Sequence, residues 1–243
     1  MIRSVMVAVF LGLYALLLGP PLIVYSLITR SSELIYWTSA RWVVFLTRMV
    51  GVRVRAEGVE NVPAGVCLFA ANHTSNMDLP AAMKALPRRL AFLAKKSLFQ
   101  IPLVGLAFRI ANFIPVDREN REAALASVER AVQFIKTGSS FLVFPEGTRS
   151  PDGRLGRFKK GSFAMAIETG VPIVPVAFIG AHRVMAKQSL AIHPGEILVR
   201  FGEPIATAEI SLQGRAELAR RVHDAIARLL PADQQPATPM DGP

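Results

Sequence analysis

An apolar run followed at once by polar residues occupies positions 66–78, which read VCLFAANHTSNMD. The continuous apolar character of Val66–Ala71 predicts a strand that is buried on both faces, as in a parallel sheet. The polar residues then stand at the carboxyl end of that strand, where open α/β sheets place their functional sites. This short segment therefore predicts both the fold class and the position of a site.

Further apolar runs of strand length follow the same pattern, with helical periodicity between several of them. The predicted strands are Val52–Ala56, Val66–Ala71, Leu90–Ala94, Phe113–Val116, Phe141–Phe144, Ile173–Ile179 and Ile197–Phe201. The predicted helices are Glu119–Thr137, Lys160–Thr169 and Leu212–Leu230, and the first should bury a stripe of Leu125, Val128, Val132 and Ile135. Alternation of strands and helices predicts an α/β layered domain with a largely parallel sheet flanked by helices.

Upstream of this domain, residues 4–50 are strongly apolar. No charged residue occurs from Ser4 to Thr29, and about 20 apolar residues suffice to cross a bilayer. A cleaved signal peptide is less favoured because its apolar region is shorter and ends at a small-x-small site. Pro20-Pro21 should disturb the first helix, whereas Leu34–Val50 is typical of an amphipathic interfacial helix. A spanning helix with an interfacial one, a hairpin in one leaflet, and two buried core helices all remain open.

The whole chain is both hydrophobic and basic. Its 243 residues are 51% apolar and 19% charged, and 28 Lys+Arg against 18 Asp+Glu give a net charge of +10. Disorder over most of the length is excluded by this apolar content, and nucleic-acid binders reach a high isoelectric point with many more charges. The single cysteine, Cys67, excludes a disulfide framework and a cysteine-based zinc site. We therefore expect contact with a membrane, an anionic substrate or both, and no nucleic acid.

The chain divides into three predicted segments. Residues 1–50 form a membrane-anchoring two-helix segment, residues 51–230 form the α/β domain, and residues 231–243, with four prolines, form a disordered tail. Arginines follow the first apolar stretch, and positive charge stays on the cytoplasmic side of a membrane. This pattern predicts a protein of the inner (cytoplasmic) membrane whose α/β domain faces the cytoplasm.

The polar part of the opening segment contains a histidine and an aspartate five positions apart, His73 and Asp78. On an ideal helix they would lie about 140° apart, so they meet only if His73 precedes a helix that contains Asp78. Asp78 would then accept the Nδ1–H of His73 and leave Nε2 free as a base. On this spacing alone, a capping histidine beside a surface aspartate remains open.

Another polar segment, FPEGTRS at positions 144–150, also follows a predicted strand. Its glycine allows a ligand to approach the backbone closely, and Arg149 offers a planar fork for phosphate or carboxylate. The downstream cations, opposed only by Asp152, are Arg154, Arg157, Lys159 and Lys160. Either an anion-binding loop or a solvated loop explains them. No nucleophile elbow, complete P-loop or metal-binding His/Cys pattern occurs, so the sequence demands no metal.

Four blocks in order resemble the motif pattern of glycerolipid acyltransferases, and most closely that of the bacterial 1-acylglycerol-3-phosphate acyltransferases. The blocks are Asn72-His73-x4-Asp78, FIPVDR at 113–118, FPEGTR at 144–149 and VPIVPV at 171–176. The resemblance covers about residues 50–205. It implies acyl transfer from acyl carrier protein or coenzyme A to the free hydroxyl of 1-acylglycerol-3-phosphate (lysophosphatidic acid). Phosphatidic acid is the implied product, with no covalent acyl-enzyme and no cofactor besides the thioester co-substrate.

The resemblance also implies roles for individual residues. His73 is the general base, and Asp78 fixes its tautomer. The residues implied in substrate binding are Lys95, Arg118, Glu146, Gly147, Thr148 and Arg149. Among them Arg118, Gly147 and Arg149 are expected to bind the acceptor phosphate, whereas Glu146 is expected to orient these donors because its charge repels phosphate.

Different functions remain open at this point. A sister acyltransferase would use another acceptor, such as glycerol-3-phosphate, lyso-ornithine lipid or a lysocardiolipin-type substrate. A metal-dependent lipid phosphohydrolase would use as ligands His73, Asp78, Asp117 and Glu146. A non-catalytic protein that binds anionic lipid would leave the His73 and Asp78 pair unexplained.

Overall fold

A computed structural model describes residues 1–86, 88–117 and 120–238. The helices are α1 Ile2–Leu17, α2 Gly19–Thr29, α3 Glu33–Met49, α4 Asp78–Ala85, α5 Val104–Ile110, α6 Arg121–Lys136, α7 Phe163–Thr169, α8 Ala181–Val184 and α9 Arg215–Leu229. The strands are β1 Val52–Glu57, β2 Leu68–Ala71, β3 Leu90–Lys95, β4 Ile114–Val116, β5 Ser140–Val143, β6 Ile173–Ile179 and β7 Gly195–Phe201. Short 3-10 turns occupy Val59–Asn61, Lys96–Gln100, Lys160–Ser162 and Leu212–Gly214.

The described strands form one sheet in the order β1-β7-β6-β2-β5-β3-β4. All pairings are parallel except β6 with β7, which is antiparallel. Each predicted strand is thus confirmed, with ends that differ by up to two residues. The α/β fold with a largely parallel sheet is confirmed as well.

Strand β2 lies in the interior of the sheet, as its apolar run predicts. Its side chains are fully buried and alternate between the two faces. Phe69 and Ala71 pack into the core on the side of α4, whereas Leu68 and Ala70 pack into the core formed with α6, α7 and α9. The carboxyl end of β2 is therefore flanked by the ends of β5 and β6.

The predicted helices after β4 are also present. Asn120 caps α6 by accepting a hydrogen bond from the Ala123 N–H, as N-cap asparagines commonly do. The predicted buried stripe of α6 is wrong at Leu125, which is 53% exposed, while Ala131 is fully buried. At about 100° per residue Leu125 lies at the margin of the face that points inward.

The N-terminal segment is helical, and its first predicted helix is broken. Pro20 and Pro21 stand in the first turn of α2, directly after the end of α1 at Leu17, a position where proline is tolerated because its missing N–H has no helical partner. No single helix in residues 1–86, 88–117 or 120–238 has the length and apolarity to cross a membrane; α1 and α2 together do, with a bend of 45°.

The start of the predicted disordered tail packs against the domain. Gln234 is only 1% exposed. Its carbonyl accepts the Leu155 N–H at 2.9 Å, and its side-chain Oε1 accepts the Gly180 N–H at 3.1 Å. These specific contacts are not indicated by the proline-rich composition from which the tail was predicted. The last residues, 239–243, lie outside the described part of the chain.

Candidate active site

His73 and Asp78 meet at the carboxyl end of β2. The His73 Nδ1 lies 2.8 Å from the Asp78 Oδ2, and Asp78 is fully buried at the first position of α4. The same Oδ2 accepts the backbone N–H groups of Thr74 at 2.8 Å and Ser75 at 2.9 Å. A carboxylate is favoured there because the helix N-terminus carries partial positive charge. His73 thus precedes the helix and Asp78 begins it, as the pairing requires.

The loop after β5 holds His73 from the other side. The imidazole ring stacks on Phe144 with ring centroids 4.0 Å apart. The His73 carbonyl accepts the Ser150 N–H at 2.7 Å, and the His73 N–H donates to the Glu146 Oε1 at 2.8 Å. Ring and backbone of the histidine are therefore fixed by residues of the neighbouring strand and its loop.

Glu146 joins two loops through its carboxylate. Besides the His73 N–H it accepts the Gly156 N–H at 3.2 Å, and the residue is only 7% exposed. Burial raises the pKa of Glu146 to about 7; the two N–H donors act against this rise, and the charges of Asp78 and Asp152 add to it. The carboxylate therefore connects the backbone of the His73 turn with the loop that contains Gly156, and these partners differ from the phosphate-binding donors that it was expected to orient.

Sequence reasoning gave no role to Asn72 and Ser75, which also fix this turn. The Asn72 side chain forms hydrogen bonds with both backbone groups of Phe178 on β6. The Asn72 Nδ2 donates to the Phe178 carbonyl at 3.0 Å, and the Phe178 N–H donates to the Asn72 Oδ1 at 2.7 Å. Ser75 Oγ donates to the Met185 carbonyl at 2.7 Å. The available signal was a pair of polar residues beside a buried strand, since buried polar groups need hydrogen-bond partners.

An apolar cavity of about 560 Å³ adjoins the histidine and is called the active-site cavity below. Its basic lining residues are His73, Lys95 and Arg149. The walls come from α3, α4, β3, α5 and the residues just before β4, and include Tyr36, Leu79, Met83, Phe92, Phe108 and Phe113. Because Nδ1 is engaged with Asp78, the Nε2 of His73 is the ring nitrogen available to a molecule in this cavity. The space therefore combines an imidazole nitrogen, the cationic side chains of Lys95 and Arg149 and an apolar interior.

The turn PEGTR at positions 145–149 carries two further predicted residues, Gly147 and Thr148. Gly147 has a φ of +73°, a conformation that favours glycine, and its N–H donates to the Phe144 carbonyl at 3.0 Å. A Cβ at this position would lie 3.0 Å from the Lys159 side chain, so Lys159 is a further cation at the turn. Thr148 is exposed. Arg118 lies outside the described residues.

The structure thus brings together most of the predicted site. His73, Asp78, Lys95, Glu146 and Arg149 stand at the carboxyl edge of β2, β3 and β5. The part of the chain that the structure describes contains no group of three or more His, Cys, Asp or Glu side chains arranged to hold a metal. The geometry therefore does not support the metal site that the phosphohydrolase hypothesis needs.

Comparisons with known proteins identify the family of this chain. The family model described as Acyltransferase matches residues 53–179. A 1-acyl-sn-glycerol-3-phosphate acyltransferase of Pseudomonas aeruginosa is 30% identical over 205 residues, covering 82% of this chain and 79% of its own. The crystal structure of the 1-acyl-sn-glycerophosphate acyltransferase of Thermotoga maritima superposes with a TM-score of 0.74 at 29% identity, covering 93% of this chain and 92% of that one.

Plant relatives are longer than this chain. A 1-acyl-sn-glycerol-3-phosphate acyltransferase of Limnanthes douglasii is 34% identical over 187 residues, which cover 76% of this chain and 66% of the relative. The shared part includes the strands that carry the site, since the family match alone runs from β1 to the end of β6. The chain belongs to the acyltransferase family that includes the 1-acyl-sn-glycerol-3-phosphate acyltransferases.

Proposed function

We propose that the protein transfers an acyl chain from an acyl thioester to the free hydroxyl of 1-acylglycerol-3-phosphate, giving phosphatidic acid. The thioester is carried by acyl carrier protein or coenzyme A. The observation that carries the proposal is the 2.8 Å contact between His73 Nδ1 and Asp78 Oδ2 beside an apolar cavity. The names of the relatives support the same acceptor.

In the proposed reaction His73 acts as general base. Its Nε2 takes the hydroxyl proton while the hydroxyl oxygen attacks the thioester carbon. The C–S bond then breaks, and the departing thiolate takes the proton from the imidazolium. Asp78 holds the Nδ1–H tautomer and stabilises the imidazolium. A thioester is already activated, so the step needs neither an acyl-enzyme nor a cofactor, and general-base help contributes about 10²–10⁴ in rate.

The acceptor phosphate is assigned to the cations near His73. Arg149 and Lys95 line the active-site cavity, and Lys159 adds charge over Gly147. An arginine fork binds phosphate oxygens bidentately, and clustered cations at a cleft attract an anionic headgroup. Arg118 is assigned to the same phosphate through the family motif. With the head held here, the hydroxyl that reacts lies beside the base.

The apolar part of the active-site cavity is assigned to the acyl chain of the donor. Its depth past Phe92 and Phe108 would then set the preferred chain length, since each additional buried methylene contributes about 0.8 kcal/mol. The exposed apolar side chains of α1 and α2 are assigned to membrane lipid, at the cytoplasmic face of the inner membrane. Both assignments suit a substrate with a long tail and an anionic head.

An acceptor and donor matrix tests the proposal. The purified protein is assayed in mixed micelles with 1-acylglycerol-3-phosphate, glycerol-3-phosphate and lyso-ornithine lipid, each with acyl carrier protein and coenzyme A thioesters. We expect phosphatidic acid and release of one free thiol per product. Transfer only to another acceptor contradicts the proposed substrate, and release of inorganic phosphate contradicts acyl transfer itself.

A further inference from the structure

Another apolar space lies between the N-terminal helices and the α/β domain, and is called the N-terminal cleft below. Its volume is about 420 Å³. Val5 and Ala8 of α1 line one side, Leu46 of α3 lines another, and Met77 and Met185 line the domain side. Apolar side chains make up most of this lining, so the cleft favours a hydrocarbon ligand over water.

The N-terminal cleft adjoins the active-site cavity at the turn that carries the base. Leu11, Val43, Asn76 and Pro80 line both spaces. Ser75 lines the active-site cavity and Met77 lines the cleft, so the turn between His73 and Asp78 lies at their boundary. A molecule that occupies both spaces passes Asn76, three positions from His73 in the sequence.

The cleft also reaches the apolar exterior of α1. Val5 lines the cleft and is 57% exposed, and Val9 on the same helix is 52% exposed. Helix α1 is tied to the segment before β7, because the Ser4 hydroxyl accepts the Ile192 N–H at 3.2 Å. A hydrocarbon chain that leaves a lipid environment beside α1 therefore enters the cleft along a continuous apolar surface.

We propose that the N-terminal cleft binds the acyl chain of the lysophospholipid acceptor, an inference that rests on the proposed function. During the proposed reaction the acyl chain of the donor and the acyl chain of the acceptor are both present near His73. Each of these acyl chains needs an apolar space of its own. The donor arrives from water on its carrier, whereas the acceptor is a membrane lipid. The cleft continuous with the apolar surface of α1 therefore suits the acceptor tail, and the cavity that contains His73 keeps room for the donor tail.

Matched substitutions test this assignment of the two acyl chains to separate apolar spaces. Ala8→Phe adds an aromatic ring in the N-terminal cleft, and Ala107→Phe adds the same ring in the active-site cavity, each on a peripheral helix. KM is measured by varying the surface concentration of 1-hexanoyl or 1-oleoyl acceptor in mixed micelles at a fixed donor concentration, and then by varying decanoyl or palmitoyl donor at a fixed acceptor concentration. For Ala8→Phe we expect KM for the oleoyl acceptor to rise about tenfold, with little change for the hexanoyl acceptor or either donor. For Ala107→Phe we expect the donor preference to shift toward decanoyl.

Leu190→Ser provides a second variant because this side chain lines the cleft and is 72% exposed, so its replacement leaves the core intact. It should raise the same oleoyl KM by a few fold. An oleoyl-to-hexanoyl KM ratio that stays within twofold of the unmodified protein in both cleft variants overturns the inference, as does a rise in donor KM alone. Failure of the unmodified protein to acylate either acceptor would instead reject the proposed function.

Discussion

The carboxyl edge of the sheet buries polar side chains that form hydrogen bonds inside the domain, whereas the N-terminal helices expose apolar side chains. At the sheet edge, Asn72 and Asp78 are fully buried and Glu146 is 7% exposed, and each has hydrogen-bond partners inside the domain. In the helices, Leu17 is 68% exposed and Ile28 is 77% exposed. The buried polar residues of the first region form hydrogen bonds within the chain, whereas the second region exposes an apolar surface of the kind that marks an interaction with membrane or partner. Chemistry and membrane contact should therefore be separable by substitution.

The largest effect should come from His73, the base proposed at the sheet edge. His73→Ala should lower kcat about 10²–10⁴-fold, the range in which a positioned general base contributes. Binding to vesicles should not change, because the His73 side chain is only 13% exposed and offers little surface to lipid. Steady-state assay and vesicle co-sedimentation measure the two quantities. His193→Ala, at an exposed histidine, serves as control, and retention of most activity by His73→Ala would reject the base assignment.

The next effect concerns the carboxylate that joins the two loops. Burial places the pKa of Glu146 at about 7 in the folded protein, against an ordinary value of 4.5. The folded state therefore binds more protons between these values, and this group's contribution to stability, full below pH 4.5, is lost as pH rises to about 7. At about 1.4 kcal/mol per pKa unit the loss is about 3 kcal/mol.

Glu146→Gln removes the titrating group and should flatten the free energy of unfolding across this pH window. Denaturant titrations at several pH values measure it, and Glu168→Gln, at an exposed glutamate, serves as control. Glutamine also presents an amide N–H₂ to one of the two backbone donors, so the turn that carries His73 should loosen and kcat should fall. An unchanged pH dependence of unfolding would contradict the raised pKa.

The contrast between the regions also explains what the sequence predicted well. Continuous apolar runs such as Ile173–Ile179 identify the buried strands to within two residues at each end, and the His73 to Asp78 spacing allows only one local geometry for contact. The partners of Asn72 and Gln234 were not predictable, because they lie 106 residues away at Phe178 and 54 residues away at Gly180. Such contacts depend on strand order, which no local pattern specifies.

The N-terminal region is tested by replacing exposed apolar side chains of α2. Leu27 and Ile28 are 59% and 77% exposed, and burial of each such side chain is worth about 1.5–3 kcal/mol. Leu27→Ser with Ile28→Ser should lower vesicle partitioning about 100-fold, while kcat on a short-chain acceptor in micelles stays the same. Leu125→Ser, 53% exposed on α6, is the matched control. Equal partitioning of both variants would contradict lipid contact by α2.

The smallest effect joins the two regions, because the acceptor has its head at the sheet edge and its tail near the helices. Arg149→Ala removes a cation that lines the active-site cavity. A hydrogen bond to a charged group contributes about 1.5–3 kcal/mol, and partial exposure of Arg149 lowers this, so KM for 1-acylglycerol-3-phosphate should rise about tenfold. Arg157→Ala, an exposed cation of the same loop, should leave KM unchanged. A rise in KM for the thioester alone would contradict the assignment of Arg149 to the acceptor phosphate and would indicate contact with the donor instead.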